Sequence, residues 1–385
     1  MEHFFAPCPR GLESPLAAEL TQLGAIDVGA VDGGVSFAGG LDFAYLANLE
    51  SRLASRILWR VAAAAYRNER DVYDAAYALD WPRWFHAERT LRVDVSATRS
   101  PLKSLEFATL RIKDAVCDRH RAASGLRPSV SKERPDVRVY AYLTTDRVTF
   151  YLDTSGEALF KRGYRRESSA APLRENLAAG LVRLAGWTAG LALLDPMCGS
   201  GTVAIEAALI ALDIAPGLKR TFGFQKLDWY DGPTWQRIKQ AAQRRIRRAA
   251  PVTIHASDID AGAVARSRAN VAAAGVSAAV AVERVDVLAR TAPAPSGVIV
   301  SNPPYGVRVA DADRLAAFYP RLGDALKQHF AGWTAYLLSG DTRLPKLIGL
   351  KATRRTPLYN GALECRLYEY RLVAGSARGA RAMLK

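Results

Sequence analysis

Four short apolar runs in the second half of the chain each end on an acid or amide as a loop begins, and this repeat constrains the fold more than any other feature. Leu191–Leu194 runs into Asp195, Thr253–Ala256 leads to Asp258, Val280–Val285 to Asp286, and Val298–Val300 to Asn302. Runs of this length and apolarity read as buried strands of a parallel sheet. In open α/β sheets the ligand lies outside the carboxyl ends of the strands. Four polar residues at successive strand ends therefore make one site. Ala335–Leu338 and Glu364–Leu372 read as further strands, the latter as an antiparallel edge.

The first of these strands feeds Asp195-Pro196-Met197-Cys198-Gly199-Ser200-Gly201-Thr202, after which Val203–Leu212 reads as a helix. The glycines permit a tight turn and let a ligand lie against bare backbone. A P-loop is excluded, because no Lys-Ser/Thr pair follows them. A dinucleotide fold places its ribose-binding acid about 20 residues further on, whereas the next strand-end acid is Asp258. A loop that begins on a carboxylate suits a cationic ligand. S-adenosyl-L-methionine, with its ammonium and sulfonium, is one, and Asp258 remains for its ribose hydroxyls.

The last strand ends in Asn302-Pro303-Pro304-Tyr305-Gly306. Asn302 offers a side-chain carbonyl, Pro303 a backbone carbonyl, and Tyr305 a flat ring. Two acceptors and a stacking surface fit a planar base bearing an exocyclic NH2: the oxygens take the amine protons, and the nitrogen lone pair is left facing an electrophile.

The front of the chain is α+β. His3–Ala6 reads as extended and Leu12–Leu23 as a helix, Gly33-Gly34 is a turn, and Leu53–Ala65 is apolar enough to be buried; these make a small unit over 1–65. A second module, 66–155, reads as strand Leu91–Ala97, helix Ser104–Arg121 and strands Val137–Leu143 and Val148–Asp153. The third region, 156–385, holds the parallel sheet, with a basic insertion at about 213–250.

Charge matters here through its distribution. The net +15 comes from two segments: 219–248 carries 9 basic against 2 acidic residues, and 343–385 carries 10 against 2. A localised surplus of this kind is the footprint of a polyanion partner. The insertion also holds Phe222, Phe224, Trp229, Tyr230 and Trp235, then a helix ending Arg244-Arg245-Ile246-Arg247-Arg248, so it reads as an RNA-docking element. Arg111 and Lys113 on the helix of the second module are candidate RNA contacts. So are Lys161, Arg162, Arg165 and Arg166, interleaved with Phe160 and Tyr164, although an interdomain strap would carry the same letters. Four scattered cysteines and five histidines without ligand spacing predict neither disulfides nor a metal. No apolar run approaches the ~18 residues of a membrane span, and the first residues do not read as a signal peptide, so the expected location is cytoplasmic.

The motifs together resemble class I S-adenosylmethionine-dependent methyltransferases of the amino-methylating type. More closely, the chain resembles the bacterial THUMP-domain enzymes that form N2-methylguanosine in 23S ribosomal RNA. The resemblance rests on the opening Phe5-Ala6-Pro7-Cys8-Pro9-Arg10-Gly11-Leu12-Glu13, on Arg162-Gly163-Tyr164-Arg165 with Ala171-Pro172-Leu173-Arg174-Glu175-Asn176, on Asp213-Ile214-Ala215-Pro216-Gly217, and on the loops above. It implies a ferredoxin-like domain, a THUMP domain and a Rossmann-like methyltransferase sheet. It implies S-adenosyl-L-methionine as cofactor, held by Pro172, Leu173, Asn176, Asp195, Pro196, Cys198, Gly199, Gly201, Thr202, Asp258, Ile259, Asp286, Val287 and Asn302. Asn302, Pro303, Pro304 and Tyr305 become the catalytic loop and large-subunit ribosomal RNA the partner. Family members commonly have an acid where Val307 stands. Some carry a second methyltransferase module that this sequence lacks, so a single methylation is expected. The same amine chemistry would serve N6-adenine methylation of DNA, and a non-catalytic ribosome-assembly factor is a reading of another class.

Overall fold

In the computed structural model, residues 1–165, 173–304 and 309–373 are described, apart from the side chains of 309–312. They form two compact units: 1–8, 16–159 and 217–241 make the first, and 9–15, 160–216 and 242–385 the second.

The first unit contains β1 (Glu2–Pro7), most of α1 (Glu13–Leu23), β2 (Ile26–Val31), β3 (Gly34–Gly39), α2 (Leu41–Glu50) and β4 (Leu58–Ala65). It continues with α3 (Glu69–Tyr77), β5 (Leu91–Ala97), α4 (Leu105–Ser124), β6 (Val137–Leu143) and β7 (Arg147–Asp153). All seven strands share one sheet, in the order β2-β3-β1-β4-β7-β6-β5. The antiparallel pairing of β4 with β7 carries it from the first sequence module into the second. α4 is bounded as its sequence suggests. The Ser104 hydroxyl accepts from the Phe107 amide at the start, and Gly125 ends it at φ +75°.

In the second unit, α5 (Glu175–Leu184), β8 (Ala192–Asp195) and α6 (Thr202–Ala211) come first. The chain then passes through α7 (Gly232–Arg244), most of which belongs to the first unit. The second unit resumes with β9 (Ile254–Asp258), α8 (Ala261–Ala274), β10 (Val280–Arg284), β11 (Gly297–Ser301), α9 (Val309–His329), β12 (Trp333–Ser339), α10 (Leu344–Leu347), β13 (Arg354–Asn360) and β14 (Leu363–Arg371). The sheet order is β10-β9-β8-β11-β12-β14-β13. The first five strands are parallel, and the last two are joined to them and to each other antiparallel. Every residue of β11 is buried, as a strand covered on both faces requires.

Much of the aromatic content of the insertion is packed inside rather than displayed at the surface. Phe222, Phe224 and Trp235 are buried. Tyr45 of α2 stacks on Trp229 at 5.2 Å and meets Phe224 at 4.5 Å, and its hydroxyl accepts from the Asp231 amide at 2.8 Å. Trp59 of β4 lies 5.9 Å from Trp229, edge-on. These rings fill the core of the first unit, because burying them there removes more apolar area from water than a surface display would. The helix also stops at Arg244, short of the basic run.

Elements the sequence reading does not anticipate include α2, α3, α8, α9, α10 and β13. α9 is held by Leu315, Tyr319, Leu322 and Leu326, spaced one helical turn apart, in a core with Trp333, Ala335 and Leu337 of β12. Gly323 lets α9 approach the end of α10: a Cβ there would lie 1.7 Å from the Ile348 carbonyl oxygen. Gly323→Ala is therefore expected to cost about 3 kcal/mol through forced displacement of backbone, read as a lower urea midpoint; an unchanged midpoint would show that the two helices separate freely.

Candidate active site

The strand order reverses at β8, with β9 and β10 on one side and β11 and β12 on the other. This is the switch point at which open α/β sheets hold ligands. Parallel pairing sets Val298 beside Leu193 and Ile299 beside Leu194, so the loops leaving β8 and β11 are neighbours. Ser301 Oγ donates to Asp195 Oδ1 at 2.6 Å, and the Met197 amide donates to the same oxygen at 3.3 Å. Asp195 is 2% exposed, and burial pushes its carboxyl pKa from 3.8 up to about 7. It is not among the residues that line the cavity, and through Ser301 it ties two strand ends together.

The glycine loop is fixed from β9 and α8. The Gly199 amide donates to Asp258 Oδ2 at 2.9 Å, and the Asp260 amide to Asp258 Oδ1 at 3.0 Å. Ser267 Oγ donates to the Gly199 carbonyl at 3.0 Å, and Asn270 Nδ2 to the Ser200 carbonyl at 3.0 Å. Gly199 and Gly201 have φ of +55° and +78°, which strains any residue with a side chain. They differ in surroundings. A Cβ on Gly201 would come within 3.1 Å of Ser267 Oγ, whereas one on Gly199 would meet no protein atom within 4 Å. Gly201 thus serves packing against α8, and Gly199 presents bare backbone to open space.

That space is a cavity of about 780 Å³, a size suited to a nucleotide-like cofactor and part of a substrate. Pro196, Gly199, Asp258, Ile259, Asp286, Val287, Asn302 and Pro304 line it, as do Met197 and Leu288. The Asp286 carboxylate accepts from the Leu288 amide at 2.9 Å. Ile259 is 62% exposed and offers an apolar ledge at the rim. Asn302 Oδ1 is buried, and among the described residues no hydrogen-bond donor reaches it. A buried acceptor in that condition costs free energy unless a ligand supplies the donor. The bare Gly199 backbone, the Asp258 and Asp286 carboxylates and the waiting Asn302 oxygen fit a cationic nucleoside cofactor next to an amine.

The other expected site residues lie elsewhere. Cys198 and Thr202 are buried, with Cys198 Sγ 3.3 Å from Ser267 Oγ. Leu173 and Asn176 are buried at the start of α5. Pro172, Tyr305 and Arg166 fall outside the described residues. Of the expected RNA contacts, Arg162 is instead internal and Arg165 is partly buried. Arg162, 5% exposed, lies 3.5 Å from Glu206, which also accepts from the Tyr164 hydroxyl at 3.1 Å. Arg165 donates to Glu175 Oε1 at 3.1 Å, the Leu173 carbonyl at 2.7 Å and Thr202 Oγ1 at 3.2 Å. A buried guanidinium needs such partners, so these arginines brace α5 and α6. Lys161 is exposed, Arg111 covers the Tyr73 ring at 4.6 Å, and Lys113 pairs with Asp114 at 2.8 Å.

The cavity also has a wall missed in the sequence, made by Arg314, Leu315, Phe318 and Arg321 of α9. The spacing 314, 318, 321 was the available signal, but it needed the helix to be recognised first. Behind that wall the Tyr319 hydroxyl lies 3.4 Å from both the Pro304 carbonyl and Asp341 Oδ2. The Arg343 guanidinium holds Asp341 through two hydrogen bonds of 3.0 and 2.8 Å, its backbone amide adds a third of 2.8 Å, and together they keep the carboxyl below the ordinary value. Among the described residues no group of His, Cys, Asp or Glu is arranged to hold a metal ion, and no helix is long and apolar enough to cross a membrane.

A glycine loop after the first strand of this sheet, Asn-Pro-Pro after the fourth, and a closing antiparallel pair define a class I methyltransferase fold, here with a ferredoxin-like and a THUMP domain ahead of it. The chain belongs to the RMKL-like methyltransferase-domain family, whose model matches residues 162–369. Models of the THUMP domain and of the RlmL ferredoxin-like domain match 66–153 and 3–58. One curated relative is the ribosomal RNA large subunit methyltransferase K/L of Shewanella baltica (strain OS185), 40% identical over 98% of this chain and 54% of its own length. The chain thus spans about half the length of the curated relatives it matches. Among solved structures, one complexed with SAH is 29% identical, with TM-score 0.88 over 97% of this chain and 99% of its own. Another, named as a predicted N6-adenine-specific DNA methylase from Listeria monocytogenes str. 4b F2365, is 30% identical, with TM-score 0.87 over 96% of each chain.

Asp195 gives a pH signature. Its pKa is higher folded than unfolded, so its contribution to stability is full below about pH 4 and is lost as pH rises through about 7. Asp195→Asn should remove that part of the slope, so that the variant gains on wild type in urea midpoint between about pH 4 and pH 7. Parallel midpoints across the range would place the Asp195 proton elsewhere.

Proposed function

We propose that this chain methylates an exocyclic base amine of RNA, with S-adenosyl-L-methionine as donor and guanine N2 of large-subunit ribosomal RNA as acceptor. The observation that carries the proposal is the buried Asn302 Oδ1, an acceptor that meets no donor among the described residues, in a cavity also lined by Gly199 and Asp258. When bound, the cofactor supplies an electrophilic methyl carbon on a sulfonium. Asp258 and Asp286 would hold its ribose and adenine, Ile259 and Val287 would flank the base, and the Gly199 backbone would lie along it.

An amine conjugated to a ring is a poor nucleophile. Accepting its two protons at Asn302 Oδ1 and the Pro303 carbonyl favours a pyramidal nitrogen and aims the lone pair. Tyr305 is proposed to stack on the extruded base and offset part of the few kcal/mol that unstacking costs. The methylated nitrogen is cationic and releases its proton to water, so the loop needs no strong base. Positioning of this kind can contribute about 7–11 kcal/mol to a rate. An rRNA acceptor also puts the reaction in the cytoplasm.

A second reading, N6-adenine methylation of DNA, draws support from the name of the Listeria structure. The THUMP match favours RNA. With radiolabelled donor, wild type should label 23S ribosomal RNA and leave duplex DNA unlabelled. Asn302→Ala should lower transfer by about a hundredfold or more, because the acceptor acts on the amine, not the cofactor, while S-adenosylhomocysteine affinity by calorimetry stays within about twofold. A protein that binds rRNA and transfers nothing would be an assembly factor instead. Tyr319→Phe, which releases Pro304 from behind, should lower kcat about tenfold with little change in cofactor KM. A change confined to KM would remove Tyr319 from loop positioning.

A further inference from the structure

The cavity carries opposite charge on its two sides. Asp258 and Asp286 stand at the ends of β9 and β10, on one side of β8. Arg314 and Arg321 stand on α9, which packs against β12 on the other side, and Asn302 at the end of β11 lies between. Both arginines are exposed, and among the described residues neither has an ion pair or hydrogen bond. This contrasts with Arg162 and Arg165, which are spent on Glu206 and Glu175. Phe318 lies between them on the same helical face, partly exposed, its inner side packed on the core.

An unpaired cation in a cavity wall raises the local potential and draws in anions. Two of them, about 10 Å apart along the helix axis, carry side chains long and flexible enough to converge on the phosphates on either side of one extruded nucleotide. The aromatic ring between them is a stacking surface for a neighbouring base. The acids across the cavity repel that backbone and keep it from the cofactor's place.

We infer that the Arg314–Phe318–Arg321 face of α9 is the RNA-backbone clamp of the active site, gripping the phosphates that flank the target nucleotide. The inference rests on the methyltransferase reading above and adds what holds the acceptor.

The test uses the full chain, an unstructured fluorescein-labelled RNA oligonucleotide read by anisotropy across a salt series, and S-adenosylhomocysteine read by calorimetry. Arg314→Gln with Arg321→Gln should weaken RNA binding about tenfold or more at low salt. It should also reduce the slope of log K against log salt by about 1.4, since each phosphate contact to a single strand contributes about 0.7. Arg→Lys at both positions should restore most of the slope. Phe318→Leu, which keeps the core contact, should lower affinity about fivefold with the slope unchanged. Cofactor affinity should stay within about twofold in all three variants.

Unchanged RNA affinity and slope in the double Gln variant, with wild type still methylating rRNA, would overturn the clamp and leave the methyltransferase reading intact. A DNA oligonucleotide of the same sequence that bound more tightly and lost the same slope would overturn the RNA assignment. Failure of wild type to bind S-adenosylhomocysteine would instead refute the underlying reading.

Discussion

The site depends on the parallel pairing of two strands about a hundred residues apart in sequence. β8 and β11 lie side by side, and the Ser301–Asp195 hydrogen bond of 2.6 Å closes their carboxyl ends. Because β9 and β10 are laid down on one side of β8 before the chain returns on the other, the loops after β8 and β11 have no strand between them. A crevice at that point is a topological consequence. The glycine loop and the Asn302 loop thereby become its two lips.

Asp195 shows how a strand-end carboxylate can be recruited for architecture. Its position suggested a ligand for a cation, yet its Oδ1 is taken by Ser301 and the Met197 amide, and its burial raises its pKa. Asp258, one strand away, is partly exposed and lines the cavity while receiving the Gly199 amide. What separates the two is solvent access and the supply of donors, neither of which is written in the residue type.

Buried arginines and buried aromatics follow the same logic. Arg162 and Arg165 read as nucleic-acid contacts because they are cations among rings, but Glu206 and Glu175 claim them. The rings of the insertion read as a docking surface, but Tyr45 and Trp59 gather them into a core. The partner of Arg165 lies ten residues away, and those of Arg162 and of the rings lie forty or more away, so local composition could not reveal them. Arg314 and Arg321, exposed and without a partner among the described residues, sit on a helix whose apolar spacing is diluted by alanines.

The sequence alone determined the parallel strands, the glycine turn and the Asn-Pro-Pro loop, because period, length and turn chemistry are local properties; Ile259 and Val287 of the cavity came only through the family resemblance. It also determined β5 and β6, which match their expected bounds. Tertiary structure alone decided which charges face the cavity and which are neutralised inside. It also decided that α9 supplies a wall and that 217–241 belongs to the first unit. The physical reason is that burial and ion pairing are set by partners brought together through the fold, and a charge is available to a ligand only where no such partner has reached it first.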